Sequence, residues 1–254
     1  MELIDTHCHL DLDAFAADRA AVLARSRTAG VCAIVVPAVA AAGWPALRTL
    51  CAGHADLHPA YGLHPVYLDR HAAADLVALE AQLAPGDAVA VGEIGLDFHR
   101  ADLDRGRQRE LFAAQLAVAR AAGLPVLLHV RKAHDEVLAA LRRTRVTGGI
   151  AHAFNGSLQQ AGHYLDLGFK LGFGGMLTFD RSRKLQALAR TLPAEALVLE
   201  TDAPDLTVAS HRGQRNSPEY LPEVLAALAR VRASDPREVA RQTTQNAREV
   251  LGLA

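Results

Sequence analysis

Cysteine is scarce in this chain. Cys8, Cys32 and Cys51 are odd in number and lack the paired spacing of a structural zinc site. A chain of 254 residues needs no disulfide staple, so the three read as free thiols of a reducing compartment. Neither sign of charge dominates, with 27 Lys and Arg against 28 Asp and Glu. This balance excludes a global positive field for coating long nucleic acid, and any polyanion has to be gripped locally. Long apolar runs are missing as well. The longest, Val31 to Ala42, is interrupted by Pro37 and falls short of the roughly 20 residues of a membrane span. The first strand begins near Glu2, which leaves no room for a secretion signal, so a cytoplasmic protein is expected. Half the residues are hydrophobic and 22% are charged, and no low-complexity tract or long linker interrupts them. The expectation is a single folded domain over 1–254, with a monomer favoured.

Histidine is the one excess, with 12 in the chain. Two of them stand in His7-Cys8-His9, directly after the apolar Leu3-Ile4. In an extended strand residues i and i+2 share a face, which sets these two imidazoles roughly 6.5 to 7 Å apart at Cα. Both can then reach one divalent ion, while Cys8 points the other way and is excluded as a ligand.

Beyond His9, helical and strand-like segments alternate. A helix is predicted from about Ala14 to Thr28, ending at Gly30, and the β-branched run Val31 to Val36 follows as a strand buried on both faces. Later strands are predicted at Leu57–Tyr61, Ala88–Gly95, Leu124–His129, Gly149–His152, Phe169–Phe173 and Ala196–Asp202. Helices are predicted between them and over Pro218–Arg232 and Asp235–Leu251. Eight strand–helix units of roughly 30 residues describe a closed (β/α)8 TIM barrel more economically than an open sheet. Such a barrel carries its chemistry at the C-terminal ends of its strands.

The polar residues fall there. His7 and His9 end the first predicted strand, Glu93 the fourth, His129 the fifth, His152 the sixth and Asp202 the eighth. Four imidazoles and two carboxylates exceed the needs of one tetrahedral ion and suit two ions sharing a bridging carboxylate and hydroxide, which is hydrolytic equipment.

His7-Cys8-His9, Gly92-Glu93-Ile94-Gly95-Leu96-Asp97, Leu127-Leu128-His129, His152-Ala153-Phe154-Asn155-Gly156, Glu200-Thr201-Asp202-Ala203-Pro204 and Arg215-Asn216-Ser217-Pro218 occur in this order along the chain. Together they resemble the signature segments of the TatD family of metal-dependent deoxyribonucleases. Arg131-Lys132-Ala133-His134-Asp135 and Ser157-Leu158-Gln159-Gln160-Ala161 resemble its YjjV-type branch. The resemblance spans essentially the whole chain and implies a TIM-barrel metallohydrolase with two divalent ions, Zn²⁺, Mg²⁺ or Mn²⁺. One ion would take His7, His9, Glu93 and Asp202, and the other Glu93, His129 and His152. Glu93 would bridge, and Asp202 would orient or deprotonate the attacking water. Asn155 and Lys132 depart from the family pattern, which bears on substrate detail and not on metal binding.

Around this set, His64 ends the third strand and is expected to hydrogen-bond a leaving phosphate or orient a ligand, and Arg131, following His129, is expected to grip substrate phosphate. Arg215, in the polar loop after the eighth strand, is expected to do the same. Glu200, two residues before Asp202, is expected to orient the metal ligands. The leading function is exonuclease-type cleavage of phosphodiester bonds at nucleic-acid ends, DNA ahead of RNA. A small-molecule ester, lactone, amide or phosphoester hydrolase is the alternative, and a non-catalytic metal-binding module the second.

Overall fold

The computed structural model describes residues 1–253. Eight parallel strands follow one another around a barrel in chain order: β1 (Leu3–Asp5), β2 (Val31–Pro37), β3 (Leu57–Tyr61), β4 (Ala90–Asp97), β5 (Val126–Arg131), β6 (Gly149–Ala151), β7 (Phe169–Phe173) and β8 (Leu197–Leu199). The ring closes where the Thr6 N–H and hydroxyl both donate to the Leu199 carbonyl, each at 3.0 Å. The expected (β/α)8 TIM barrel is therefore the fold, in a single domain.

Alternation along the strands sorts their side chains into two layers. Ile4, Val35, Leu127, Ile150 and Val198 fill the barrel interior. Their neighbours Leu3, Ile34, Val36, Leu128 and Leu197 face the surrounding helices. Those helices are α1 (Arg19–Thr28), α2 (Trp44–Ala52), α3 (Ala73–Leu83), α4 (Arg105–Ala122), α5 (His134–Thr144), α6 (Leu158–Asp166), α7 (Arg183–Thr191), α8 (Leu221–Arg232) and α9 (Pro236–Leu251). Ala247 and Leu251 of α9 join the interior cluster and close it below the strands. With that end plugged, the opposite mouth is left for chemistry. Among the described residues no helix is long and apolar enough to cross a membrane.

The departures from the predicted elements lie at strand ends: β4 and β5 begin two residues later than predicted, and β6 and β8 stop at Ala151 and Leu199, so His152 and Asp202 sit beyond them. β1 stops at Asp5, so His7 and His9 sit on the chain leaving it, where Cys8 forms an isolated bridge to Ala203. The helix expected from Ala14 starts at Arg19, after a 3₁₀ turn at Asp13–Phe15. Its first residue is occupied elsewhere: the Arg19 guanidinium donates to the Leu10, Asp11 and Leu12 carbonyls at 2.7, 3.0 and 3.3 Å and folds the exit loop back over the helix start. β4 and β5 each run two residues beyond the predicted ends, carrying Asp97 and Arg131 into the sheet.

Candidate metal centre

Glu93 is the hub of the mouth. It is buried on β4, where Oε2 lies 3.0 Å from His7 Nε2 and 3.3 Å from His9 Nε2. Its Oε1 lies 3.0 Å from His129 Nδ1 and 3.4 Å from His64 Nε2. Asp202 closes the ring, with Oδ1 at 3.9 and 3.7 Å from the same nitrogens of His7 and His9 and Oδ2 at 3.5 Å from His152 Nε2. His7 and His152 stack with ring centroids 3.7 Å apart. Asp202 and Ala153 adopt left-handed backbone conformations, with φ of 59° and 42°. Each costs about 1 kcal/mol for a residue with a side chain, a cost that aims the strand exits inward.

Most rings turn one nitrogen toward this centre and have the other fixed from behind. His9 Nδ1 lies 3.0 Å from the Pro37 carbonyl, which sets it as the donor and frees Nε2. His129 Nε2 lies 2.9 Å from Asp97 Oδ2, and His152 Nδ1 lies 3.0 Å from Glu200 Oε1. Carboxylates behind imidazoles fix ring orientation and strengthen metal ligation. Glu200 also accepts the Ala153 N–H at 2.6 Å, and it fits because residue 172 is glycine: a Cβ there would collide with its carboxylate. His7 Nδ1 is buried without a hydrogen-bond partner, and His152 Nδ1, although 3.0 Å from Glu200 Oε1, meets it as an ion pair rather than as a well-aligned hydrogen bond.

Burial opposes charge on every imidazole here, and the surrounding carboxylates decide which ones keep a proton. For His9 burial is outweighed by the hydrogen bond and charge of Glu93, then by Asp202, which holds it up at about 9. Burial is likewise outweighed at His129 by Asp97 and Glu93, and at His152 by Glu200 and Asp202, so both are raised. Burial prevails at His64, pushed down to about 4, and at His7, lowered also by the charge on His152. Glu93 would be raised by burial, but the histidines around it hold it well below the usual carboxylate range. Asp202 is lowered in the same way by His152 against its burial. Ionised carboxylates are thus balanced by protons on imidazoles, and a divalent cation would take over that role by displacing them.

The donor set fits divalent metal. Three overlapping groups, His7/Glu93/His152, His7/His9/Asp202 and His64/Glu93/His129, each have ligand atoms within 4.8 Å of one another. All six expected ligands come together. The grouping differs in detail, since His152 sits with His7 while His129 sits with His64, a residue expected to touch substrate or orient a ligand rather than to hold metal. Cys8 enters none of these groups and is buried in the apolar layer, with burial pushing its thiol well up.

Two further expectations separate. Arg131 lines the cavity over the centre, with Nη1 3.8 Å from Asp97 Oδ2 and half its side chain exposed. Arg215 does not line it. Its guanidinium makes two 2.8 Å hydrogen bonds to Asp18 and another to the Ala14 carbonyl, with its plane over Phe15, so it ties the β8 exit loop to the start of α1. The expected phosphate contact at Arg215 is corrected accordingly, because its donors are already committed to a carboxylate that matches them bidentately.

Several positioning residues escaped the sequence reading. Gln108 and Gln115 of α4 are buried, and each pairs with both backbone groups of one strand-exit residue. Gln108 binds the Asp97 N–H and carbonyl at 2.7 and 3.0 Å, and Gln115 binds those of Leu63 at 2.7 and 3.1 Å. Asp5 accepts from the His7 N–H and from the Thr201 N–H and hydroxyl, tying β1 to β8 beneath the ligands. The available signal was polar residues seven apart on the apolar face of an amphipathic helix.

The family model for TatD-related DNases matches residues 4–252. The uncharacterized metal-dependent hydrolase YjjV of Escherichia coli K12 is 40% identical over 246 residues, covering 96% of this chain and 95% of its own. The 3'-5' ssDNA/RNA exonuclease TatD of Pantoea ananatis is 33% identical over 259 residues, covering 99% of this chain and 100% of its own. The crystal structure of YjjV from Escherichia coli K12 superimposes with a TM-score of 0.96 at 38% identity, covering 99% of this chain and 98% of that one.

Proposed function

Because the chain belongs to the TatD family of metal-dependent DNases, we propose that it is a two-metal exonuclease removing nucleotides from the 3′ end of single-stranded DNA, with RNA as a second substrate. The convergence of His7, His9, His129, His152, Glu93 and Asp202 on one buried centre beneath an open cavity carries this reading. The polarity and the nucleic-acid class follow the relative in Pantoea ananatis. His7, His9, Glu93 and Asp202 would hold one ion, with His152 beside it against His7 and Asp202, and Glu93 and His129 the other, with His64 beside that one. Ions bound there would supply neutralising charge for the scissile phosphate and a lowered pKa for the attacking water.

The chain supplies the rest. Asp202, held ionised at the mouth, accepts the proton of the attacking water on a carboxylate oxygen. Water adds at phosphorus, the bond to the leaving sugar oxygen breaks, and that oxygen takes up a proton from solvent in the cavity. His64 Nδ1 accepts the Val66 N–H at 3.1 Å, so its proton sits on Nε2, facing the reacting region. Arg131 reaches a non-bridging phosphate oxygen from the cavity wall. Free Cys8, Cys32 and Cys51 support a reducing, cytoplasmic setting.

The test is digestion of 5′-labelled single-stranded DNA by protein reconstituted with Mg²⁺, Mn²⁺ or Zn²⁺. Stepwise shortening from the unlabelled end is expected. Intact DNA alongside turnover of p-nitrophenyl esters would make the protein a small-ester hydrolase instead. Protein that binds metal but turns over neither substrate would be a non-catalytic module.

A further inference from the structure

The cavity over the metal centre has a volume of about 720 Å³, and groups of both charges line it. The acidic groups lining it, Glu93, Glu200, Asp202 and Asp205, come from β4 and the chain leaving β8. Arg181, Arg183 and Lys184 also line it, at the start of α7, and all three are exposed. Their contacts are with neutral groups. Lys184 Nζ donates to the Asn155 carbonyl at 2.7 Å, which anchors it at the β6 exit, and the Arg181 guanidinium lies 5.6 Å from the centre of the Phe179 ring. Among the described residues none of the three is paired with a carboxylate; some surface arginines, such as Arg27 and Arg48, are and others are not, so what distinguishes these three is their place on the cavity wall.

The placement runs against helix electrostatics. Arg183 and Lys184 open α7, and cations at a helix start meet the positive end of its dipole. Three uncompensated cations where the helix disfavours them, on the wall of an open cavity, call for an anion in solution. The centre is buried while these cations are at the rim. A strand with its terminal phosphodiester at Glu93 and Asp202 has to leave through the mouth, and its next phosphates pass the rim.

We infer that Arg181, Arg183 and Lys184 form a rail for the phosphates just inside the cleaved end of a single strand. The inference rests on the exonuclease reading and deepens it. The rail makes a polymer a better ligand than a single nucleotide, and it recognises backbone rather than base, so sequence has little influence. It also supplies the local grip that an overall net charge of −1 requires.

The experiment is fluorescence anisotropy with metal-loaded protein and 5′-fluorescein oligothymidylate carrying phosphorothioates at its last 3′ linkages, titrated over a range of salt. Single-strand binding loses about 0.7 in the slope of log K against log salt for each phosphate contact removed. The variant R181Q/R183Q/K184Q should therefore lower the slope by about two relative to the unmodified protein. R183Q, whose side chain makes no hydrogen bond or ion pair, should lower it by about 0.7 and guards against misfolding of the triple variant. Unchanged slopes in a protein that still shortens DNA would overturn the rail and leave the exonuclease reading intact. Failure of the unmodified protein to bind or shorten any oligonucleotide would overturn both.

Discussion

Single residues decide whether the metal ligands are merely close or also oriented. Glu200 illustrates this, because its carboxylate sits behind His152 and holds the Ala153 N–H only where Gly172 leaves room for it. Gly172→Ala is expected to push Glu200 off His152 and weaken metal binding by about 10- to 100-fold, the usual range for loss of such a partner. Competition with a chromophoric chelator measures this. Unchanged affinity would mean that Glu200 does not orient His152. Asp97 plays the matching part behind His129. Burial would raise its carboxyl, but the hydrogen bond to His129 overrides burial and holds it down at about 2.

At the scale of elements, α4 is more than a layer covering the barrel. Through Gln108 and Gln115 it takes over backbone groups at the ends of β3 and β4 that no neighbouring strand binds, and so fixes where Leu63 and Asp97 leave the sheet. Their neighbours on the chain and in space are His64 and His129. Gln108→Leu leaves the Asp97 N–H and carbonyl buried without partners, and a loss of about 2 to 4 kcal/mol is expected in urea unfolding. Metal affinity should fall with it, since Asp97 holds His129. An unfolding midpoint equal to that of the unmodified protein would show that water replaces the amide at no cost.

For the whole molecule, the centre joins residues from β4 and β5 and from the exits of β1, β3, β6 and β8, so a bound cation ties distant parts of the ring together. Metal at about 100 times its Kd adds about 2.7 kcal/mol to stability, which for a chain of this size raises Tm by roughly 5 to 10 °C over chelated protein. The gain depends on pH with a definite sign. His9 is held up at about 9, and His129 and His152 are raised as well, so protons occupy these nitrogens at neutral pH and compete with metal. The difference in Tm between metal-loaded and chelated protein should grow from pH 6 to pH 8. Differential scanning calorimetry checks this, and a difference that is constant or shrinks across the range would count against metal bound by those imidazoles.

Sequence alone determined the alternation of eight strands with helices and the six residues that converge at their ends, because both follow from short-range periodicity. The spans of β3 and β7 agree with the pattern to the residue. Tertiary structure decided what depends on contacts between residues far apart in the chain. It committed Arg215 to Asp18 rather than to a phosphate, brought His64 against Glu93, and backed His129 and His152 with Asp97 and Glu200. It also gathered Arg181, Arg183 and Lys184 on the wall of the cavity that holds the acidic groups. The histidines of His7-Cys8-His9 were readable because two residues of strand spacing suffice to place them on one side. What each of their ring nitrogens faces was not readable, because the answer lies in the Pro37 carbonyl, Glu93 and Asp202, reached only when the barrel closes.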